Sequence, residues 1–289
     1  MGALFLGVDG GGSGCRVRLA DGEGLVLGSA AGGPGNIRLG LDAVWAAILA
    51  ATDQALAQAG FDRAALSRIH AGLGLAGIVS PADAARIRAA GPDFAGVGIA
   101  TDSHAACLGA FAGADGGIVI VGTGSAGYAL IGGVPHAVGG WGFEVSDQGS
   151  GADIGREAIR AALLGHDGLG PHTDFSRDLM ARLGGHPAEI VAWAGTARPR
   201  DYAELVRQAL EFAERGDPIA TAILKRAAGQ ISRLIERLQE MGAAEICLMG
   251  GLGPTLETWL PPSIRGVLVK PRGDAVDGAL HLAREAAAS

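Results

Sequence analysis

The chain has 289 residues, enough for two modest domains, and 48% of them are hydrophobic, so a sizeable core is available. Its net charge of −7 argues against a nucleic-acid binder, whose affinity would come from a basic face. No apolar run of about 18 residues occurs, so no membrane span is expected; three scattered cysteines and a start at Met1 and Gly2 without a basic or apolar leader predict a cytoplasmic protein with reduced thiols.

In chain order, residues 4–8, 15–19 and 24–28 read as three antiparallel strands, followed by a helix over 41–59. A strand over 69–75, a helix over 81–90, a strand over 97–101 and a helix over 103–111 complete the first half. The second half opens at Gly117 with strands over 118–121, 128–131 and 134–138. Helices then dominate, over 152–164, 175–183, 201–214 and 219–241. Strands over 246–249 and 267–270 and a helix over 275–287 close the chain. Three antiparallel strands followed by alternating helices and strands thus occur twice, which predicts a duplicated α/β unit. The expected domains are 1–114, with the helix of 275–289 packing back on it, and 115–274, with a helical insertion.

Two glycine turns stand out: Gly7 to Gly14 (Gly-Val-Asp-Gly-Gly-Gly-Ser-Gly) and Val121 to Ser125 (Val-Gly-Thr-Gly-Ser). Each follows a short apolar strand and leads into another strand. Without a Cβ in the way, backbone N–H groups can approach a ligand closely and form an anion nest, commonly for phosphate. Two such hairpins point to two halves that grip one nucleotide. Plain hairpin chemistry is the competing explanation. Asp9 weakens it, because a carboxylate at the end of a buried strand is costly without a partner. Gly122, Gly124 and Gly127 also fit G-x-G-x-x-G, but a dinucleotide site requires a helix directly after the glycines. Tyr-Ala-Leu-Ile and two glycines follow instead, and no Gly-Lys-Ser or Gly-Lys-Thr is present.

These turns carry a resemblance, together with Thr101-Asp102, Gly139-Gly140-Trp141-Gly142, Ser146 to Gly151, Leu248-Met249-Gly250-Gly251 and Gly273 to Leu280. In order and coverage they resemble the actin/Hsp70/sugar-kinase superfamily. More narrowly, they resemble the BadF/BadG/BcrA/BcrD-type group, on the side of bacterial glucosamine kinase and N-acetylglucosamine kinase. The resemblance implies a duplicated ribonuclease-H-like (actin-like) two-lobe α/β fold with an interlobe cleft. One departure is visible: the first turn in that group usually ends Gly-Thr-Lys, whereas here Gly12-Ser13-Gly14 keeps the hydroxyl and loses the basic residue.

The implied activity is ATP-dependent phosphorylation of the 6-hydroxyl of glucosamine, with N-acetylglucosamine as the alternative substrate. Asp102 would be the general base; the competing role is a helix N-cap. Asp9 would hold Mg²⁺ through water; the competing role is bonding within its own turn. Gly11, Gly12, Ser13, Thr123, Gly124 and Ser125 would bind the phosphates, and Gly250 and Gly251 the adenosine. Asn36, Asp102, Thr123, Trp141, Glu144 and Asp147 would meet the sugar. Asn36 could equally be a turn residue, Trp141 a core residue and Asp147 a helix cap. The acids Glu144 and Asp147 favour free glucosamine, since a cationic amine wants a carboxylate nearby.

Two other classes stay open. An iron–sulfur ATPase activator of a dehydratase would need converging thiolates, and Cys15, Cys107 and Cys247 lie on a hairpin, a helix and a strand. A non-catalytic sugar sensor would normally carry a DNA-binding helix pair. The expected partners are a small-molecule sugar, with no nucleic acid and no membrane; a homodimer is left open.

Overall fold

The computed structural model describes residues 2–288. It divides into two compact units, the first of Met1–Gly116, Gly132–Pro135 and Lys270–Ser289, the second of Gly117–Ile131 and His136–Val269. Each is a mixed sheet flanked by helices, the ribonuclease-H-like α/β architecture.

In the first unit, β1 (Leu4–Gly10), β2 (Cys15–Asp21) and β3 (Val26–Gly32) form the antiparallel part of the sheet. The third strand starts two residues later than its pattern predicts and runs to Gly32, past a register shift at Leu19/Ala20. Then follow α1 (Leu41–Gln58), β4 (Ile69–Leu75), α2 (Pro81–Ala90), β5 (Gly96–Thr101) and α3 (Asp102–Ala110). Strands β4 and β5 add in parallel, giving the order β3-β2-β1-β4-β5. The central strands β1 and β4 are apolar almost throughout because helices cover both faces. Helix α1 packs on β2 and β3 around Leu6, Val8, Leu19, Ile48 and Leu73.

In the second unit, β6 (Gly116–Val121), β7 (Ser125–Ile131) and β8 (Val134–Gly139) precede a helical stretch. It comprises α4 (Gly151–His166), α5 (Asp174–Arg182), α6 (Pro187–Ala194), α7 (Pro199–Ala203), α8 (Val206–Glu214) and α9 (Pro218–Glu240). Next come β9 (Ile246–Met249), α10 (Gly253–Glu257) and α11 (Pro262–Arg265). The sheet order is β8-β7-β6-β9, with β6 and β9 parallel. Helix α9 shows why these helices form: Asp217 caps the N–H groups of Ile219 and Ala220, and Pro218 takes the first position. Ile223, Leu224, Ala227, Ile231 and Ile235 then bury one stripe.

The closing helix, α12 (Ala275–Ala288), belongs to the first unit and packs on α3, β4 and β1. It lies so close that a Cβ on Gly72 would sit 1.8 Å from the Ala279 carbonyl oxygen.

Three expectations are corrected. Residues 267–270 make only a single parallel bridge, Ile246 to Leu268, because the chain has just left α11 and Val269 bonds once to Ile246. The helix read over 201–214 is two, α7 and α8, broken between Ala203 and Val206. No helix is expected from the sequence over 187–194, where α6 lies, because it buries only Ile190 and so lacks the apolar stripe that signals a helix.

Candidate active site

In the first unit, β1 delivers Asp9 to the edge of the first glycine turn, which closes by a 2.9 Å bond from the Gly11 N–H to the Gly14 carbonyl. The loop bearing Asn36 is tied to that turn. The Gly35 N–H donates to the Gly11 carbonyl at 2.9 Å, and the Ile37 N–H to Ala76 at 3.1 Å. Asn36 Oδ1 accepts from the Arg38 N–H at 3.0 Å and caps a short 3₁₀ turn. Its oxygen is committed to the fold, which leaves its NH₂ for a ligand.

Asp9 does not bond within its turn. Its Oδ2 accepts from Arg16 Nη2 at 2.7 Å and Nε at 3.1 Å, and Arg16 Nη1 reaches Asp274 Oδ2 at 2.9 Å. A basic residue, Arg16, thus stands two positions after Gly14, with its guanidinium committed to Asp9 and Asp274. Sequence reading passed over it because strand residues with alternating exposure look like a solvated face.

Asp102 is the first residue of α3, and it is not the cap. Thr101 Oγ1 accepts from the His104 N–H at 3.1 Å and fills that role. Asp102 Oδ1 accepts from the Ser103 N–H at 2.8 Å and the Ser103 hydroxyl at 3.3 Å. Burial pushes its carboxyl above the usual carboxylate range; the Ser103 bonds oppose this and the charge of Asp9 adds to it. The structure therefore brings Asp9 and Asp102 within electrostatic reach of each other. His104, on the same helix, is held below its ordinary value by burial.

In the second unit, β7 begins directly at Ser125, so no helix follows the second glycine turn and the dinucleotide geometry is absent. The turn is fastened to the start of α4. The Gly151 N–H donates to the Gly122 carbonyl at 2.8 Å, and the Ala152 N–H to the Thr123 carbonyl at 3.1 Å. The buried Ser125 hydroxyl donates to the Gln148 carbonyl at 2.9 Å, so it serves the loop.

The glycines differ in what they are for. A Cβ on Gly12 or Gly251 would meet nothing within 4 Å, and on Gly11 only ordinary contact at 3.5 Å. These positions are open cradles of the kind a nucleotide needs. A Cβ on Gly124 would come within 2.6 Å of Asp147 Oδ2. Gly250 has φ +88° and a Cβ there would lie 2.3 Å from the Val121 carbonyl oxygen, so the fold itself requires glycine.

Asp147 sits in the left-handed region at φ +61°, and its Oδ1 accepts from the Gly142 N–H at 3.2 Å. Ser150, not Asp147, caps α4: its Oγ accepts from the Asp153 N–H at 3.2 Å. Burial raises the Asp147 carboxyl; the Gly142 bond opposes this, and the charges of Glu144 and Asp153 reinforce it. Glu144 is exposed on the turn leading to it, and Trp141 is 76% exposed, which rules out a core role.

Among the described residues no three His, Cys, Asp or Glu side chains converge on a metal, and the three cysteines are buried thiols. An all-protein metal cage is therefore not built. A hydrated Mg²⁺ held by one carboxylate fits, since Arg16 takes only Oδ2 of Asp9.

The model of the BadF/BadG/BcrA/BcrD ATPase family matches residues 6–283, and the chain belongs to that family. It is 40% identical over 280 residues to the glucosamine kinase GspK of Vibrio cholerae, covering 96% of this chain and 95% of that protein. A crystal structure from Chromobacterium violaceum, provisionally assigned as an N-acetylglucosamine kinase, superposes with a TM-score of 0.89 at 37% identity. It covers 97% of this chain and 99% of that one. A ROK-family glucokinase from Streptomyces griseus, solved with glucose and AMPPNP, shares the fold at a TM-score of 0.57 and 20% identity, covering 99% and 100%. Among the described residues no helix is long and apolar enough to cross a membrane.

Proposed function

We propose that the chain is an ATP-dependent amino-sugar kinase that phosphorylates the 6-hydroxyl of glucosamine in the cytoplasm. The observation that carries this reading is the near-complete 40% match to a glucosamine kinase. The site supports it residue by residue.

Phosphoryl transfer asks a protein mainly for positioning and charge neutralisation. Asp102 is the general base. Its raised carboxyl lies in the direction that suits proton abstraction near neutral pH, and it is free of the capping duty that would otherwise explain it. It takes the proton of the 6-hydroxyl as that oxygen bonds to the γ-phosphorus and the bond to ADP breaks. Backbone N–H groups of Gly12, Ser13, Thr123, Gly124 and Ser125 receive the phosphates; Gly11, whose own N–H closes the turn, contributes open space rather than a donor, and the open Gly251 beside Gly250 receives adenosine. Mg²⁺ on Asp9, when bound, offsets the charge of the phosphate oxygens.

On the sugar side, Asp147 takes the amine ahead of Glu144. Asp147 is half-buried and next to two other acids, so it is short of a cation, and an ammonium relieves both costs. Asn36 and Trp141 meet the hydroxyls and the ring face. A second reading, N-acetylglucosamine as substrate, is favoured by the Chromobacterium violaceum relative at 37% identity. A coupled ADP-release assay across both sugars separates them.

A further inference from the structure

We infer that Arg156 is the positioning residue that holds the loop carrying Asp147 in its binding shape, and thereby sets affinity for the amino sugar. The inference rests on the reading of Asp147 as the amine contact.

Arg156 lies on the second turn of α4 and grips the loop at both ends. Its Nη1 donates to the Phe143 carbonyl at 3.0 Å, and its guanidinium lies 4.7 Å from the centre of the Phe143 ring. Its Nη2 donates to Asp153 Oδ1 at 2.7 Å, and Asp153 Oδ2 in turn accepts from the Gly149 N–H at 2.9 Å. One planar fork therefore ties Phe143 directly, and Gly149 through Asp153, to a single helix. Asp147 lies between these anchors, in a left-handed conformation that a surrounding structure must enforce. The opposite constraint on Phe143 comes from Tyr202, 5.0 Å away ring to ring, itself packed on Trp193 at 4.8 Å.

Stability alone does not account for an arginine here. Its Nε is buried without a hydrogen-bond partner, a cost that an apolar side chain of similar length would avoid. What only the arginine supplies is the bridge between the two ends of the loop. Lysine, with a compact ammonium, can bond one end but not span both.

The test uses Arg156→Met, Arg156→Lys and Asp153→Asn in the full chain, with steady-state kinetics and amide hydrogen exchange. Arg156→Met is expected to raise KM for glucosamine on the order of ten- to a hundredfold, as for a misplaced binding group. Its kcat and KM for ATP should stay within about threefold, the signature of lost substrate binding. Arg156→Lys should fall between native and methionine variants, and amides in 142–149 should exchange faster in Arg156→Met without any ligand. A normal KM for glucosamine in folded Arg156→Met overturns the inference. If that variant does not fold, an unchanged KM in Asp153→Asn overturns it. Native protein that ignores glucosamine sinks the substrate reading instead, and in that case unchanged exchange over 142–149 still refutes the positioning role.

Discussion

Replacing Asp102 by Asn separates a base from a structural acid, because the two roles predict opposite patterns. Thr101 already caps α3, so the substitution does not incur the loss of about 1 kcal/mol that follows loss of an N-cap. The amide oxygen of Asn can still accept from the Ser103 N–H and hydroxyl. The folded carboxyl is raised above its unfolded value, so its contribution to stability is present in acid and is lost as pH rises through the raised value. Above that raised value the ionised group is a net cost that Asn removes, so on the alkaline side Tm should hold or rise. The transfer rate behaves oppositely: loss of a general base lowers kcat by about 10²–10⁴, or about 2.7–5.4 kcal/mol on the barrier. Single-turnover phosphorylation at saturating sugar and ATP, alongside thermal melting at pH 8, reads both. The native acid limb of kcat should lie above the ordinary carboxylate range and vanish in the variant. A kcat within about tenfold of native, or a clear drop in Tm at normal kcat, would refute the base assignment.

Other substitutions probe the remaining parts. Gly124→Ala should weaken sugar as well as nucleotide binding, since its Cβ would displace the Asp147 carboxylate, whereas Gly12→Ala should affect nucleotide alone; isothermal titration of each ligand distinguishes them. Asp147→Asn should raise KM for glucosamine by about tenfold or more, and exposed Glu144→Gln should change it little; the reverse order would move the amine contact to Glu144. Asp9→Asn should increase the Mg²⁺ concentration at half-maximal velocity, and an unchanged Mg²⁺ titration would remove Asp9 from the metal role.

Much of the frame was readable because local chemistry and tertiary structure agree. The limits of β4, α2 and β9 follow from apolar runs and from the Ser80-Pro81 start with Asp83 completing a capping box. The strand after Gly124 was legible because Tyr-Ala-Leu-Ile has no helical stripe. The misses have physical causes. Helix α6 buries one side chain, and α7 and α8 are separated by a kink that no Gly or Pro announces. At the site, residue types could be listed but not their partners. Nothing in the linear order says that Arg16 turns onto Asp9, that Thr101 relieves Asp102 of capping, or that Gly124 is small because Asp147 leans on it. Those facts are choices among side-chain partners that only the folded geometry fixes, even where the residues are close in sequence, as Arg16 and Asp9 are across the β1–β2 hairpin.

The decisive measurement is kcat/KM of the native protein for glucosamine and N-acetylglucosamine, with ATP and Mg²⁺ and with the product identified by mass and NMR. The expected result is glucosamine 6-phosphate, one ADP released per sugar phosphorylated, and a preference for the free amine. Preference for the acetylated sugar, or ATP turnover with neither sugar phosphorylated, would contradict it.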